Sequence, residues 1–421
     1  MNLTDKQKYQ LLLEISQKIR DTLDLDEIIS HLLDTVKTVV DYDAAGIFVL
    51  NQELVHLRGL PPTNKIAGVS WCGYDPPPVG KDEMLTHGKG ICGYVIANAT
   101  SLIVPDVSKD PRYIEGRKET ISEIAVPILR NQRALGALNL ESNQYDAYGE
   151  SDLEMLQFFA DAAAIALEKA MLHRQLLQKE LLDKQLQLAR DVQMHLLPMG
   201  EPHLQDFDFA SVCIPAQEIG GDYYDYFHLP DGRLGIAVAD VSGHGIASAL
   251  AMTAFRCLLR MQTKGQEDLA LSAKIVNHLL PELIGSSHFI TMVFGILNPQ
   301  NGEITFTSCG HPPPCLLHPD GSHETLNING PAFGIYDEVE YQDENKILSP
   351  GDTLVMYTDG VTEIDNAEGQ AFGVNRLIQV LKEHRERSAK ELVDLVIKAT
   401  HAFSGFKTYR DDFTLVIIKR S

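Results

Sequence analysis

Aspartate stands beside glycine or a second aspartate at four places in the C-terminal half of the chain. These are Gly220-Gly221-Asp222, Ala239-Asp240-Val241-Ser242-Gly243, Thr358-Asp359-Gly360 and Arg410-Asp411-Asp412. The runs before Asp240 and Asp359 are apolar and of strand type, which places those carboxylates where a buried sheet meets solvent. Glycine neighbours let backbone approach a ligand closely. Aspartate is short, so on a rigid strand it holds a cation with little freedom. Oxygen donors without His or Cys select Mg²⁺ or Mn²⁺ over zinc or copper. Two carboxylates about 4 Å apart repel by roughly 4 kcal/mol at an effective dielectric of about 20. If the four converge, they need a counter-charge, which divalent ions supply. Singly, each aspartate could merely close a turn, where Asp-Gly is common; the four together point to a metal site.

The elements that must carry these residues read as strands: Phe209–Ile214, Tyr223–Phe227, Leu234–Ala239, Ile290–Leu297, Ile304–Ser308, Leu354–Tyr357 and Phe413–Ile418. Turn signals such as Pro230-Asp231-Gly232 separate them. Helical patterns intervene near Ala247–Met261, Asp268–Leu280, Val374–Lys382 and Ala389–Phe403. Strands with two pairs of helices predict two antiparallel sheets sandwiched between helices.

The N-terminal half has a different order. Helical stripes run from Lys8 to Val40, with Asp24 or Asp26 as a cap, and a strand follows at Ala44–Leu50. Leu54–Leu57 reads as its hairpin partner, and residues 59–80 read as loop. Gly88-Lys89-Gly90-Ile91-Cys92-Gly93 has formal GxGxxG spacing, but no apolar strand leads into it, so it reads as a loop opening a short helix. Two strands are expected near Ile124–Leu129 and Ala134–Leu140, which completes an α+β domain. From Ser151 to Leu197 nothing breaks a helix until Pro198, and Ser151 with Glu154 has capping-box spacing. Leucines at 172, 176, 177, 181, 182, 186 and 188 form an imperfect heptad, which favours a coiled-coil-like pair across a homodimer. Such a connector is stiff enough to transmit rotation or strain.

Composition narrows the partners. The 421 residues include 36 basic and 58 acidic ones, a net charge of −22. A surface this acidic repels phosphate backbones, so nucleic acid is not expected. No apolar run is long enough for a membrane span, the N-terminus lacks an apolar signal core, and no glycine follows Met1. No two of the six cysteines stand at CxxC spacing. The expectation is a cytoplasmic protein with reduced thiols.

Two resemblances follow from motifs. Residues from about 20 to 170 resemble a GAF domain, on Gly90-Ile91-Cys92-Gly93-Tyr94-Val95, Val104-Pro105-Asp106-Val107, Asp110-Pro111-Arg112-Tyr113, Val126-Pro127-Ile128 and Gly136-Ala137-Leu138-Asn139-Leu140. GAF ligands vary, so the resemblance implies a small molecule or protein partner of unknown identity. A cyclic-nucleotide motif at Asn64-Lys65 and Asp82-Glu83 lacks its phenylalanine, and a tetrapyrrole on Cys72 or Cys92 is less favoured than a buried thiol. Residues 180–421 resemble the metal-dependent protein phosphatase (PPM) family in its SpoIIE/RsbU-like branch. The carriers are Gln193-Met194-His195-Leu196-Leu197-Pro198, Ile219-Gly220-Gly221-Asp222-Tyr223-Tyr224-Asp225, Asp240-Val241-Ser242-Gly243-His244-Gly245, Gly310-His311-Pro312-Pro313, Tyr357-Thr358-Asp359-Gly360-Val361-Thr362-Glu363 and Asp411-Asp412-Phe413-Thr414.

The phosphatase resemblance implies a PPM-type αββα sandwich that hydrolyses phosphoserine or phosphothreonine with two Mn²⁺ or Mg²⁺ ions. Asp222, Asp240, Asp359 and Asp411 would be the catalytic metal ligands, joined by the Val241 carbonyl, and a hydroxide between the ions would attack phosphorus. The implied substrate is a STAS-type anti-anti-sigma regulator. His244 is displaced from the eukaryotic Asp-Gly-His-Gly register, so capping or packing is expected of it rather than acid catalysis. His311 is expected to shape a loop. The expected organisation is a GAF domain with N-terminal helices at 1–165, a helical linker at 166–197 and the phosphatase domain at 198–421. A GAF signalling scaffold with an inactive phosphatase-like half is the alternative. A diguanylate-cyclase reading of Gly220-Gly221-Asp222 fails because the following Glu and Phe are absent.

Overall fold

The computed structural model describes residues 5–22, 24–50, 66–75, 87–263, 268–285, 288–328, 330–406 and 408–421. The chain divides into two compact units, Met1–Leu182 and Asp183–Ser421.

In the first unit, helices α1 (Asp5–Asp21) and α2 (Leu25–Lys37) precede strand β1 (Ala44–Leu50). Asp24 caps α2, its carboxylate accepting from the amides of Asp26 and Glu27. Then come β2 (Ile66–Cys72), α3 (Gly90–Asn98), β3 (Leu102–Val104), β4 (Ser122–Arg130) and β5 (Arg133–Ser142). They form one antiparallel sheet in the order β2-β1-β5-β4-β3. Ile66–Cys72 lies inside the stretch expected to be loop. Its Ile66 and Val69 are buried, and the density of Gly and Pro around the strand hides that pattern. The expected partner strand at 54–57, the Pro76-Pro77-Pro78 loop and the Asn64-Lys65 and Asp82-Glu83 pairs lie outside the described residues. Gly90 does open a short helix, α3, as its sequence suggests.

The long helix α4 runs from Glu150 to Met194, 45 residues, and the division between units falls within it. Ser151 lies inside its first turn rather than at the cap, and Asp152 accepts the Gly149 amide instead (2.9 Å). Phe159, Ala160, Ala163, Ala166 and Leu167 pack into the apolar core of the first unit. Past that core, Leu172, Leu176, Leu177, Leu181, Leu182, Leu188 and Val192 are exposed.

The second unit contains two five-stranded antiparallel sheets. One has the order β13-β10-β9-β8-β7, from β7 (Tyr223–His228), β8 (Leu234–Val241), β9 (Ile290–Leu297), β10 (Glu303–Cys309) and β13 (Glu344–Ile347). The other has the order β12-β11-β14-β15-β6, from β6 (Phe207–Ile214), β11 (Cys315–Leu317), β12 (His323–Thr325), β14 (Thr353–Tyr357) and β15 (Phe413–Arg420). Strand β15 shows why the layers stack. Val416 and Ile418 join the core shared with the first sheet, whereas Phe413, Leu415 and Ile417 join the core beneath α8 (Gly373–Glu383) and α9 (Ala389–Ser404). Period-two alternation thus buries both faces. Helices α5 (Ile246–Gln262) and α6 (Leu269–Ile284) cover the other sheet through Met252, Phe255, Ala273 and Val276. The result is the α-β-β-α sandwich that the strand and helix order predicts. One tie between helix and sheet is invisible in sequence: Arg260 of α5 donates to both oxygens of the fully buried Asp225 on β7 (2.6 Å each).

Candidate active site

Both sheets bring a pair of carboxylates to their ends. In the first sheet Tyr223 pairs with Ala239, which leaves Asp222 and Asp240 side by side beyond that pair. In the second, Tyr357 pairs with Leu415, and the Thr358 amide donates to the Thr414 carbonyl (3.0 Å). Asp359 then opens the four-residue helix α7 (Asp359–Thr362), and Asp411 just precedes β15.

Electrostatics tie the two pairs together. Burial raises the Asp240 carboxyl to about 7, with further contributions from the charges of Asp359, Asp411 and Asp412; a hydrogen bond with Asp222 opposes the rise. Burial likewise holds Asp222 well above the usual carboxylate range, followed by the charge of Asp240. Asp359 is raised by burial, then by Asp411 and Glu363. All four sequence-predicted aspartates therefore share one neighbourhood. Val241 is buried beside them, and its carbonyl oxygen lies 2.8 Å from where a Cβ on Gly221 would stand.

Asp412 has a different job from Asp411. Its buried carboxylate accepts the amides of Gly221 (2.6 Å), Ala216 (2.8 Å) and Asp222 (3.3 Å). That clamp fixes the turn carrying Asp222, whose own Oδ2 accepts the Thr358 hydroxyl (2.8 Å). It also explains two glycines. A Cβ on Gly220 would collide with the Asp412 carboxylate, and one on Gly360 with the Asp412 carbonyl. The sequence signal was present in the paired aspartates and the glycine doublet, but nothing in it says which aspartate faces the backbone.

His244 does not cap α5. The cap is Gly245, without a side-chain hydrogen bond, and His244 is exposed with Nδ1 3.3 Å from Gln217 Nε2. Gly243 and Gly245 have φ of +88° and +84°, which glycine alone adopts without strain. His311 is buried and kept neutral, its pKa lowered to about 3 by burial. Its Nδ1 meets the Thr291 hydroxyl (2.8 Å), and Thr291 pairs with Asp240 across β8 and β9. It braces the strand behind the carboxylates.

The donor set fits a hard divalent cation: the side chains are carboxylates, and burial with ionised neighbours raises Asp222, Asp240 and Asp359. Among the described residues no group of three or more Asp, Glu, His or Cys side chains stands in an arrangement that could hold a metal ion.

A pH dependence follows. An unfolded Asp ionises near about 3.9, whereas native Asp240 does so at about 7. Between those values the native chain binds protons that the unfolded chain has lost. Stability of the metal-free chain therefore falls as pH rises through this window and levels above it. Thermal unfolding in EDTA from about pH 5 to 8 should show this fall, and Asp240→Asn should flatten it. A wild-type melting temperature that climbs with pH would contradict it.

The first unit contains another buried polar group. Glu123 and Glu141 flank Asn139, whose Nδ2 donates to both (3.0 and 3.3 Å), and the Tyr74 hydroxyl donates to Glu141 (2.7 Å). Burial raises both carboxyls and the Cys92 thiol. Cys92 is thus a buried protonated thiol, and all six cysteines are free.

Comparison with known proteins agrees with this architecture. The SiaA-PP2C domain of Pseudomonas aeruginosa superposes with a TM-score of 0.53 at 20% identity, covering 58% of this chain and 99% of that one, which defines a PP2C-type fold. Residues 230–421 match Stage II sporulation protein E (SpoIIE), and residues 24–167 match the GAF domain. The chain thus joins a GAF domain to a SpoIIE-family domain of the PPM type. Phosphoserine phosphatase RsbU of Bacillus subtilis is 29% identical over 237 residues, 56% of this chain and 70% of RsbU. Protein IcfG of Synechocystis is 28% identical over 265 residues, 56% of this chain; the chain spans only 42% of IcfG.

Proposed function

We propose that this chain is a metal-dependent serine/threonine protein phosphatase governed by its GAF domain. The observation that carries the reading is the convergence of Asp222, Asp240, Asp359 and Asp411 from the ends of two sheets, with Asp240 raised to about 7. Two Mn²⁺ or Mg²⁺ ions are the fitting cofactors; Asp222, Asp240, Asp359, Asp411 and the Val241 carbonyl would hold them. When bound, such ions make water a better nucleophile and offset charge on phosphoryl oxygens. The chain's own contribution is positioning. Thr358 orients the Asp222 carboxylate, Asp412 fixes its backbone, and the ends of the two sheets bring the four aspartates into one neighbourhood.

RsbU is named a phosphoserine phosphatase. That likeness supports a phosphoserine or phosphothreonine substrate here, and we take a STAS-type regulator as the protein that bears it. The GAF domain would receive a small molecule or a protein. The exposed leucines from Leu172 to Leu188 support pairing of α4 in a homodimer; sedimentation showing only monomer at assay concentration would exclude it. Among the described residues no helix is long and apolar enough to cross a membrane, and a cytoplasmic location suits the proposed substrate.

The test is phosphate release from matched phosphoserine, phosphothreonine and phosphotyrosine peptides with Mn²⁺. Turnover of the first two is expected. Preference for phosphotyrosine would overturn the substrate class, and no turnover of any would favour a signalling scaffold.

A further inference from the structure

The long helix α4 ends on the turn that carries Asp222. Its last turn places Gln193, a residue only 7% exposed, against Gly220. The side-chain Nε2 donates to the Gly220 carbonyl (2.7 Å), and the Gly220 amide donates back to Oε1 (3.3 Å). One amide side chain thereby satisfies both polar groups of one peptide residue. Around it Met194 and Val192 are exposed, while Leu197 just beyond the helix is buried in the sandwich core. The Leu196 amide returns to the Gln193 carbonyl (2.9 Å), so the chain turns away there. Gln193 and Leu197 are thus the buried anchors of the helix end.

We propose that Gln193 is a positioning residue through which the connector helix sets the metal affinity of Asp222. The Gly220-Gly221-Asp222 turn is pinned at three points. Asp412 holds the amides of Gly221 and Asp222, Thr358 holds the Asp222 carboxylate, and Gln193 holds Gly220. The first two pins come from the ends of β14 and β15 in the second sheet and move with it. The third comes from the helix. A shift of the last helical turn therefore pulls on Gly220, two residues from a proposed ligand. Because Gly220 also lies against the Asp412 carboxylate without a Cβ between them, its displacement loads the Asp412 pin as well. The helix reaches the metal turn through one reciprocal hydrogen-bonded pair, and that pair can engage or release without unfolding the sandwich. This inference rests on the reading of Asp222 as a metal ligand.

The experiment is Mn²⁺ binding to the full chain, followed by the electron paramagnetic resonance signal of free Mn²⁺, with phosphate release measured in parallel. Gln193→Leu keeps the bulk of the side chain and removes both hydrogen bonds. It should raise the Mn²⁺ half-saturation about tenfold in binding and in turnover. Turnover at saturating Mn²⁺ should stay within about twofold of wild type, because the ligands themselves remain. Val396→Ala, in the core beneath α8 and α9, serves as a destabilising control and should keep the wild-type Mn²⁺ curve. A Gln193→Leu curve equal to wild type overturns the proposal, as does an equal shift in Val396→Ala. A wild-type chain that takes up no Mn²⁺ overturns the metal reading and this inference with it.

Discussion

Asp240→Asn should abolish turnover, by about a thousandfold or more, while leaving the fold intact. Asp240 sits in β8 one residue past its last pair with β7, next to Asp222, and its carboxyl is raised by burial and by three neighbouring aspartates. An amide there removes one negative charge and one anionic donor from the set proposed to hold dications. Loss of several kcal/mol of charge stabilisation corresponds to about three decades in rate. The apo variant should melt at or above the wild-type temperature at about pH 8, since the repulsion is relieved. This opposition of a dead enzyme and an equal or more stable apo fold separates a functional carboxylate from a structural one. A variant that retains turnover, or that melts far below wild type in EDTA, would contradict the assignment.

The second large effect is expected at Asp412, whose carboxylate grips backbone. Asp412→Ala strips three backbone amides, those of Ala216, Gly221 and Asp222, of their acceptor. The turn that presents Asp222 then loses its register by a fraction of an ångström to an ångström. Misplacement on that scale costs about a hundredfold in rate. Asp412→Asn keeps one oxygen for the two amides on Oδ2 but turns a donor toward Ala216. Its loss should be smaller, about tenfold. The order wild type, Asn, Ala in kcat/KM is the signature of a clamp. Equal, complete loss in both variants would instead make Asp412 a ligand, and wild-type rates in Asp412→Ala would remove it from the site.

The contrast between Asp411 and Asp412 also marks how far the sequence could be read. The four acidic spots were legible because each sits at a strand end beside a residue that permits close approach, and strand ends are readable from apolar runs. The layered fold was legible for the same reason. Successive residues of β15 are apolar on both faces, and only a sheet covered on both sides buries them all. What stayed hidden depends on long-range geometry. Neighbouring residues leave a strand end in different directions, so adjacency alone could not say that Asp412 turns to backbone. The Arg260–Asp225 pair joins positions far apart in the chain, and nothing local announces it. Gln193 was noticed only as part of a motif, since a glutamine in a long polar helix ordinarily faces water. Glycines and prolines mask strand β2, and of the capping or packing expected of His244, the cap falls to Gly245.

Helix α4 passes without a break from the core of the first unit to Gln193. A stiff helix conveys displacement, whereas a flexible linker dissipates it. The buried Glu123, Asn139 and Glu141 group shows that the GAF unit invests polar residues in its interior, where burial penalises charge.

The most direct measurement of the central claim is phosphate release from a phosphoserine peptide by one sample of the purified chain, first in EDTA, then after gel filtration and addition of Mn²⁺. The account predicts no release in EDTA and full recovery with Mn²⁺, absent in Asp240→Asn. Turnover that persists in EDTA, or that returns equally in the variant, would contradict it.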